Sequence, residues 1–163
     1  MNKFKNVSKK VVDQHELSRL VAMWNLLDKK IVFTDGCFDI LHRGHVDYLT
    51  QAASRGDVMV VGLHSDASVA RLRGEGRPIQ NQEARALIVA SLSYVDAVII
   101  LDEDSPYNLI KLIKPDVLVK GADKLPKDII GYDIVSAKGG SVVALDIKEG
   151  NTERLIDKIK LTQ

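Results

Sequence analysis

The chain has 163 residues, 45% hydrophobic and 28% charged, which is enough apolar material for one domain with a real core and too much for disorder. Lys and Arg number 23 against 22 Asp and Glu, and a net charge of +1 lacks the basic excess of a protein that grips many nucleic-acid phosphates. A single cysteine, Cys37, excludes an intrachain disulfide framework and an all-cysteine zinc site, and with no secretory h-region or long apolar run the expectation is a soluble, cytoplasmic protein with no membrane contact.

Lys3, Lys5, Lys9 and Lys10 make residues 1–10 basic and polar, and a solvated tail is expected there, ahead of a single domain over 11–163. From Asp13 the spacing turns helical. Leu17, Leu20, Val21, Trp24 and Leu27 recur three or four apart, and Asp13 with Glu16 matches a capping box. This helix should lay its Trp24 side on the rest of the domain or, failing that, on a second copy. Short β-rich runs follow at 31–34, 57–63, 95–101, 116–119 and 141–145. They alternate with helical patterns near 44–54, 66–72, 82–92, 106–113, 127–138 and 152–160. Val58, Met59, Val60 and Val61, and again Val98, Ile99, Ile100 and Leu101, are continuously apolar, as strands covered on both faces must be. The alternation predicts an α/β, Rossmann-like, doubly wound parallel sheet of about five strands with an extra N-terminal helix.

Such a sheet binds ligands outside the carboxyl ends of its strands, where the strand order reverses. After the first run come Gly36, Cys37, Phe38 and Asp39, then His42, Arg43, Gly44 and His45. Gly36 lets the chain turn closely, and Gly44 opens a helix whose unpaired N–H groups and positive dipole end form a seat for phosphate. His42 and His45, three apart astride that terminus, can reach one bound group and stabilise charge that builds up in phosphoryl or nucleotidyl transfer. A metal held by the same pair is the competing reading and needs a further ligand. Arg71, Arg73, Arg77 and Arg85 form the densest cationic stretch, and Gly74 and Gly76 loosen the loop between them so that it could close over a triphosphate. Lys120 ends a buried run at the crevice, where a charge needs a partner: a ligand phosphate or a structural ion pair.

These residues closely resemble the signature of the cytidylyltransferase-like nucleotidyltransferases. The likeness runs from about residue 11 to 160 and is most similar to the ADP-heptose-forming adenylyltransferases, through Ser65, Asp66, Ala67, Ser68 and Val69, the segment 71–78, and Pro115 to Asp123. The resemblance implies transfer of AMP from ATP to a heptose 1-phosphate with release of pyrophosphate, for lipopolysaccharide core synthesis. It implies the strand order 3-2-1-4-5, a stand-alone form without the sugar kinase that relatives often carry, and self-association. It sets His42, His45, Arg73 and Lys120 as catalytic. The nucleotide would be held by Gly36, Cys37, Phe38, His42, Gly44, His45, Arg73, Gly121, Asp123, Asn151 and Thr152, and the acceptor by Asp39, Arg77 and Lys120. Magnesium would be carried by the phosphates, with no metal site of the protein's own.

The residues leave some roles open. Cys37 is a nucleophile, a redox switch or a small buried residue; Asp39 holds a substrate hydroxyl or steadies the loop; Arg85 pairs with a carboxylate or with phosphate. Relatives usually carry Lys at Arg73 and Asn at Asp35. Where they have a Ser-Thr-Thr run, this chain has Asn151, Thr152, Glu153 and Arg154, which puts a negative charge beside the expected polyphosphate. The rival functions are a cytidylyltransferase acting on glycerol 3-phosphate or a related small phosphate, and a nucleotide-binding module without catalysis.

Overall fold

A computed structural model describes residues 2–146 and 152–161. Among these, six parallel strands form one sheet: β1 (Val11–Val12), β2 (Ile31–Gly36), β3 (Val58–His64), β4 (Ala97–Leu101), β5 (Val117–Gly121) and β6 (Ser141–Leu145). Their order is β1-β4-β3-β2-β5-β6. The five expected strands stand in the expected order, and β1 adds a sixth at the edge. Two residues carry no periodicity, so β1 had no signature to read; it sits just ahead of the helix expected from Asp13.

The helices are α1 (Lys3–Ser8), α2 (Gln14–Leu26), α3 (Arg43–Ala53), α4 (Asp66–Arg73), α5 (Gln82–Ala90), α6 (Tyr107–Ile113), α7 (Tyr132–Ala137) and α8 (Thr152–Lys160), with a 3-10 turn at Pro126–Asp128. The helix expected over 127–138 is thus split into that turn and α7. Residues 3–8 are helical rather than a plain tail. Val7 packs on the core, and the Lys10 ammonium donates to the carbonyls of Val95 at 2.6 Å and Leu92 at 3.3 Å.

Alternation along each strand builds two cores. Ile31, Phe33, Val60 and Leu118 face α2, α6 and α7, while Val32, Val61, Val117 and Val119 face α3 and α5. Asp13 and Glu16 form the capping box that starts α2, each accepting the other's backbone N–H. Trp24 is 7% exposed within the first core, so core packing accounts for its apolar side.

The chain moves from β2 to β3 and β4 on one side and returns to β5 on the other, which places the switch point between β2 and β5. The β2–β5 ladder pairs only Val32 with Val117 and Phe33 with Leu118. Beyond Phe33 the two strands are not paired, and the crevice opens there.

Candidate active site

The site begins at the turn after β2. A Cβ on Gly36 would lie 2.9 Å from the Phe38 ring, so any other residue would have to displace that ring. Phe38 itself is left-handed at φ 44. His42 caps α3 with extended backbone, and its N–H points to His45 Nδ1 at 3.4 Å. The two imidazoles stack with centroids 3.9 Å apart and planes 28° apart, and Phe38 meets His45 edge-on at 5.5 Å. Burial, reinforced by the neighbouring His42, pulls His45 down to about 4. Burial also lowers His42, whose Nδ1 is enclosed without a partner among the described residues. Both rings are therefore neutral near pH 7. Since His45 Nδ1 accepts, its hydrogen sits on Nε2.

These rings border a cleft of about 500 Å³. Gly36, Cys37, Phe38, Asp39, Arg73 and Arg77 also line it, as do Gly121 and Thr152. Gly44 is buried in the first turn of α3 behind the histidines. Asn151 lies outside the described residues.

Two cleft residues stand outside the assigned site set: Tyr48, which was not anticipated, and Asp35, which was marked only as a departure from the relatives' Asn. Tyr48 is buried one turn beyond His45, with its hydroxyl 2.8 Å from Thr34 Oγ1; burial raises its pKa well above the usual phenol range. Its i,i+3 spacing from His45 was the available signal. Asp35 is the second. Its side chain is 3% exposed and takes the Lys120 ammonium on both oxygens at 2.7 Å. Burial opposes its ionisation, but hydrogen bonds from His64 and Lys120 and their charges outweigh that and hold the carboxyl below its ordinary value. Lys120 is not itself among the lining residues; its partly exposed ammonium sits against Asp35, which is. Asp123 is likewise off the lining; its charge is felt at Tyr48, and its carboxylate lies within 3.8 Å of a Cβ built on Gly121.

Asp39 is 2% exposed and acts as a loop anchor. It accepts from Arg77 Nε at 2.7 Å and from the N–H groups of Ile79 and Gln80 at 2.9 and 3.0 Å. Burial resists its ionisation, and those three donors overcome the resistance. Arg77 then reaches Glu153 with Nη1. The negative charge expected to face the polyphosphate is thus held by Arg77, across the cleft.

Of the other arginines, Arg85 is fully buried and ties Asp66 (2.7 Å), the Cys37 carbonyl (2.6 Å) and the Gln80 carbonyl (3.0 Å) into one knot. Arg71 pairs with Asp104. Arg73 ends α4 on the cleft, exposed and without an ion pair among the described residues, next to Gly74 and Gly76 at φ 91 and 78. Cys37 is half-buried, with its carbonyl fixed by Arg85. No third ligand joins the histidines into a metal-binding group among the described residues.

A cleft at a topological switch, floored by stacked imidazoles at a helix N-terminus and bordered by arginines, can seat a polyphosphate and stabilise charge as it shifts between phosphate oxygens. Known proteins share this frame. A bifunctional protein HldE of Caulobacter vibrioides is 46% identical over 151 residues, covering 92% of this chain and 31% of the relative. The HldE of Campylobacter concisus is 51% identical over 152 residues, with 90% and 31% covered. That of Aliarcobacter butzleri is 60% identical over 119 residues, with 73% and 25% covered. The chain spans a quarter to a third of the length of these relatives. Among solved structures, a lipopolysaccharide core biosynthesis protein from Thermoplasma volcanium superimposes with a TM-score of 0.59 at 28% identity, over 76% of this chain and 99% of its own. Pantoate-beta-alanine ligase from Francisella tularensis, with a TM-score of 0.56 at 14% identity over 87% of this chain and 68% of its own, shares the fold. The cytidylyltransferase-like family model matches residues 33–149, from within β2 through the crevice strands, and the chain belongs to that family.

Proposed function

We propose that this chain is a nucleotidyltransferase that transfers AMP from ATP to a heptose 1-phosphate and releases pyrophosphate, supplying ADP-heptose for lipopolysaccharide core synthesis. The observation that carries the reading is the stacked His42–His45 pair at the N-terminus of α3, inside a cleft at the switch point. The HldE relatives and the lipopolysaccharide core neighbour support the heptose end of the reaction.

In this reading an oxygen of the acceptor phosphate attacks the α-phosphorus in line. The bond to the bridging oxygen breaks, and pyrophosphate leaves with its electron pair. No covalent enzyme intermediate is needed, so the protein's part is positioning and charge stabilisation. The α3 N–H groups and the neutral imidazoles donate to the α- and β-phosphates. Arg73 swings in on its glycine hinge, and Arg77 meets the anionic end of the bound pair. Gly121, where a Cβ would meet only Asp123 Oδ1 at 3.8 Å, lets the nucleoside approach the main chain.

Magnesium enters with the nucleotide in this scheme. The cleft carboxylates of Asp35, Asp39 and Glu153 are already engaged by Lys120 and Arg77, which fits an ion ligated by phosphates rather than a protein cage. Among the described residues no helix is long and apolar enough to cross a membrane. Placing the enzyme in the cytoplasm, as a self-associating protein, belongs to the same proposal.

Pyrophosphate release measured with ATP and with CTP, across a panel of sugar 1-phosphates and glycerol 3-phosphate, tests the reading. Turnover is expected with ATP and a heptose 1-phosphate. Turnover with CTP alone would overturn the nucleotide assignment and leave a cytidylyltransferase. Nucleotide binding without turnover on any acceptor would leave a binding module.

A further inference from the structure

Three neighbouring strands each send a charged or ionisable side chain to one point on the crevice floor. Continuing the β2–β5 register from Phe33 and Leu118 sets Asp35 opposite Lys120, and the ammonium lies 2.7 Å from both Asp35 oxygens. On the other side of β2, Asp35 is in register with Gly62 of β3. Gly62 has no side chain, so His64, two residues on and on the same face, leans over it and brings Nε2 to 3.4 Å from Asp35 Oδ2. A Cβ at Gly62 would sit 3.2 Å from Asp35 Cβ and 3.1 Å from the Phe33 ring, so the arrangement depends on that glycine.

The chain of contacts continues away from the cleft. His64 Nδ1 is 2.9 Å from Ser68 Oγ on α4, and Ser68 Oγ is 3.0 Å from Asp104, which Arg71 also holds. The His64 side chain is 6% exposed and Asp35 3%, so neither is a solvated surface pair. Because Nε2 faces a carboxylate, it must donate.

We propose that Asp35 and His64 are positioning residues for the transfer reaction. Together they fix the Lys120 ammonium so that a donor not spent on Asp35 meets the phosphate of the acceptor. The inference rests on the nucleotidyltransferase reading and extends it to two residues that touch no substrate themselves. Asp35 alone would add negative charge to a floor that must receive anions. Tied between a lysine and a histidine donor, it serves instead as a hinge pin for the cation. The Lys120 side chain is 26% exposed and has Asp35 as its one partner among the described residues, so the ammonium keeps donor capacity to spare.

Two near-isosteres separate positioning from bulk packing. In His64→Gln the amide nitrogen falls near the Nε2 position and keeps the bond to Asp35. In His64→Asn it falls near Nδ1, keeps Ser68 within reach and releases Asp35. Steady-state pyrophosphate release is expected to show, for His64→Asn, an acceptor KM raised about tenfold with the ATP KM within about twofold of the parent, an effect the size of one charge-assisted bond. His64→Gln is expected to stay near the parent values. Asp35→Asn, which breaks the ion pair while keeping the size, should reproduce the acceptor KM change if His64→Asn does not fold.

A second readout needs no turnover. The ¹⁵Nζ signal of Lys120 in the free protein should be sharp and slow to exchange in the parent and in His64→Gln, and broadened in His64→Asn. Equal behaviour of the Asn and Gln variants in both measurements, or a loss that falls on the ATP KM instead, would overturn the proposal. Absence of turnover in the parent protein would count against the function reading alone, and the lysine signal would still decide this one.

Discussion

In the proposed reaction His45 acts as a neutral ring, because burial and His42 hold it near 4 against an ordinary 6.5. The sign follows from proton counting. Between those values the unfolded chain takes a proton that the folded one refuses, so this residue costs stability as pH falls from about 6.5 towards 4. His45→Gln should therefore flatten the Tm-versus-pH curve in that window; an unchanged curve would mean that His45 titrates normally. Asp35 and Asp39 act in a different window. Their folded carboxyls are held below the ordinary 3.8, so their stabilisation is present above that value and lost only at more acid pH. His45→Ala should lower turnover by about 10²- to 10⁴-fold, the range of a lost transition-state donor, while ATP binding by calorimetry changes by no more than severalfold. Equal losses in both would take the ring out of the transition state. The histidines were legible in the sequence because their spacing and the glycines around them are local. The partnership of Asp35 with Lys120, 85 residues apart, was not, since it requires a strand register that no local pattern encodes.

Elements meet at this site through two arginines, Arg77, which the resemblance assigned to the acceptor, and Arg85, for which a carboxylate or a phosphate was the expected partner. Arg85 on α5 holds the Cys37 and Gln80 carbonyls and Asp66 from a fully buried position. Replacing it with methionine should cost about 2–5 kcal/mol, because two carbonyls are left without donors and Asp66 loses its partner. Thermal melts check this; a shift within error would make the knot dispensable. Arg77 works between elements. It ties the Asp39 turn to the first turn of α8 through Glu153, so an acidic residue that looked misplaced beside a polyphosphate is ion-paired with a guanidinium it shares with Asp39. In the proposed function the bound ligands compete with Glu153 for that guanidinium, so Glu153→Gln should tighten ATP binding by about twofold to fivefold, the scale of one exposed ion pair. Weaker binding in a calorimetric titration would show Glu153 to be a ligand-positioning group instead. The competition was hidden from sequence because Arg77 and Glu153 meet only after the sheet has brought α8 back over the crevice.

At the scale of the molecule, the order of the five main strands was available from the family resemblance, and their existence from continuous apolar runs separated by helical spacing. What escaped was short or capped by tertiary contact: the two-residue β1, and α1, whose lysines suggested a tail until Lys10 found the carbonyls that follow α5. The sheet's reversal between β2 and β5 then turns these elements into a cleft, bringing the His42–His45 turn, the Arg77 loop and the end of β5 to one place. All of the chemistry proposed depends on that cleft receiving a triphosphate at the N-terminus of α3. A crystal structure of the protein with a non-hydrolysable ATP analogue and magnesium tests this most directly. The triphosphate is expected against the first turn of α3, within hydrogen-bond distance of His42 or His45, with Arg77 turned from Glu153 towards it. Density for the analogue elsewhere, with the two rings still stacked and untouched, would contradict the account.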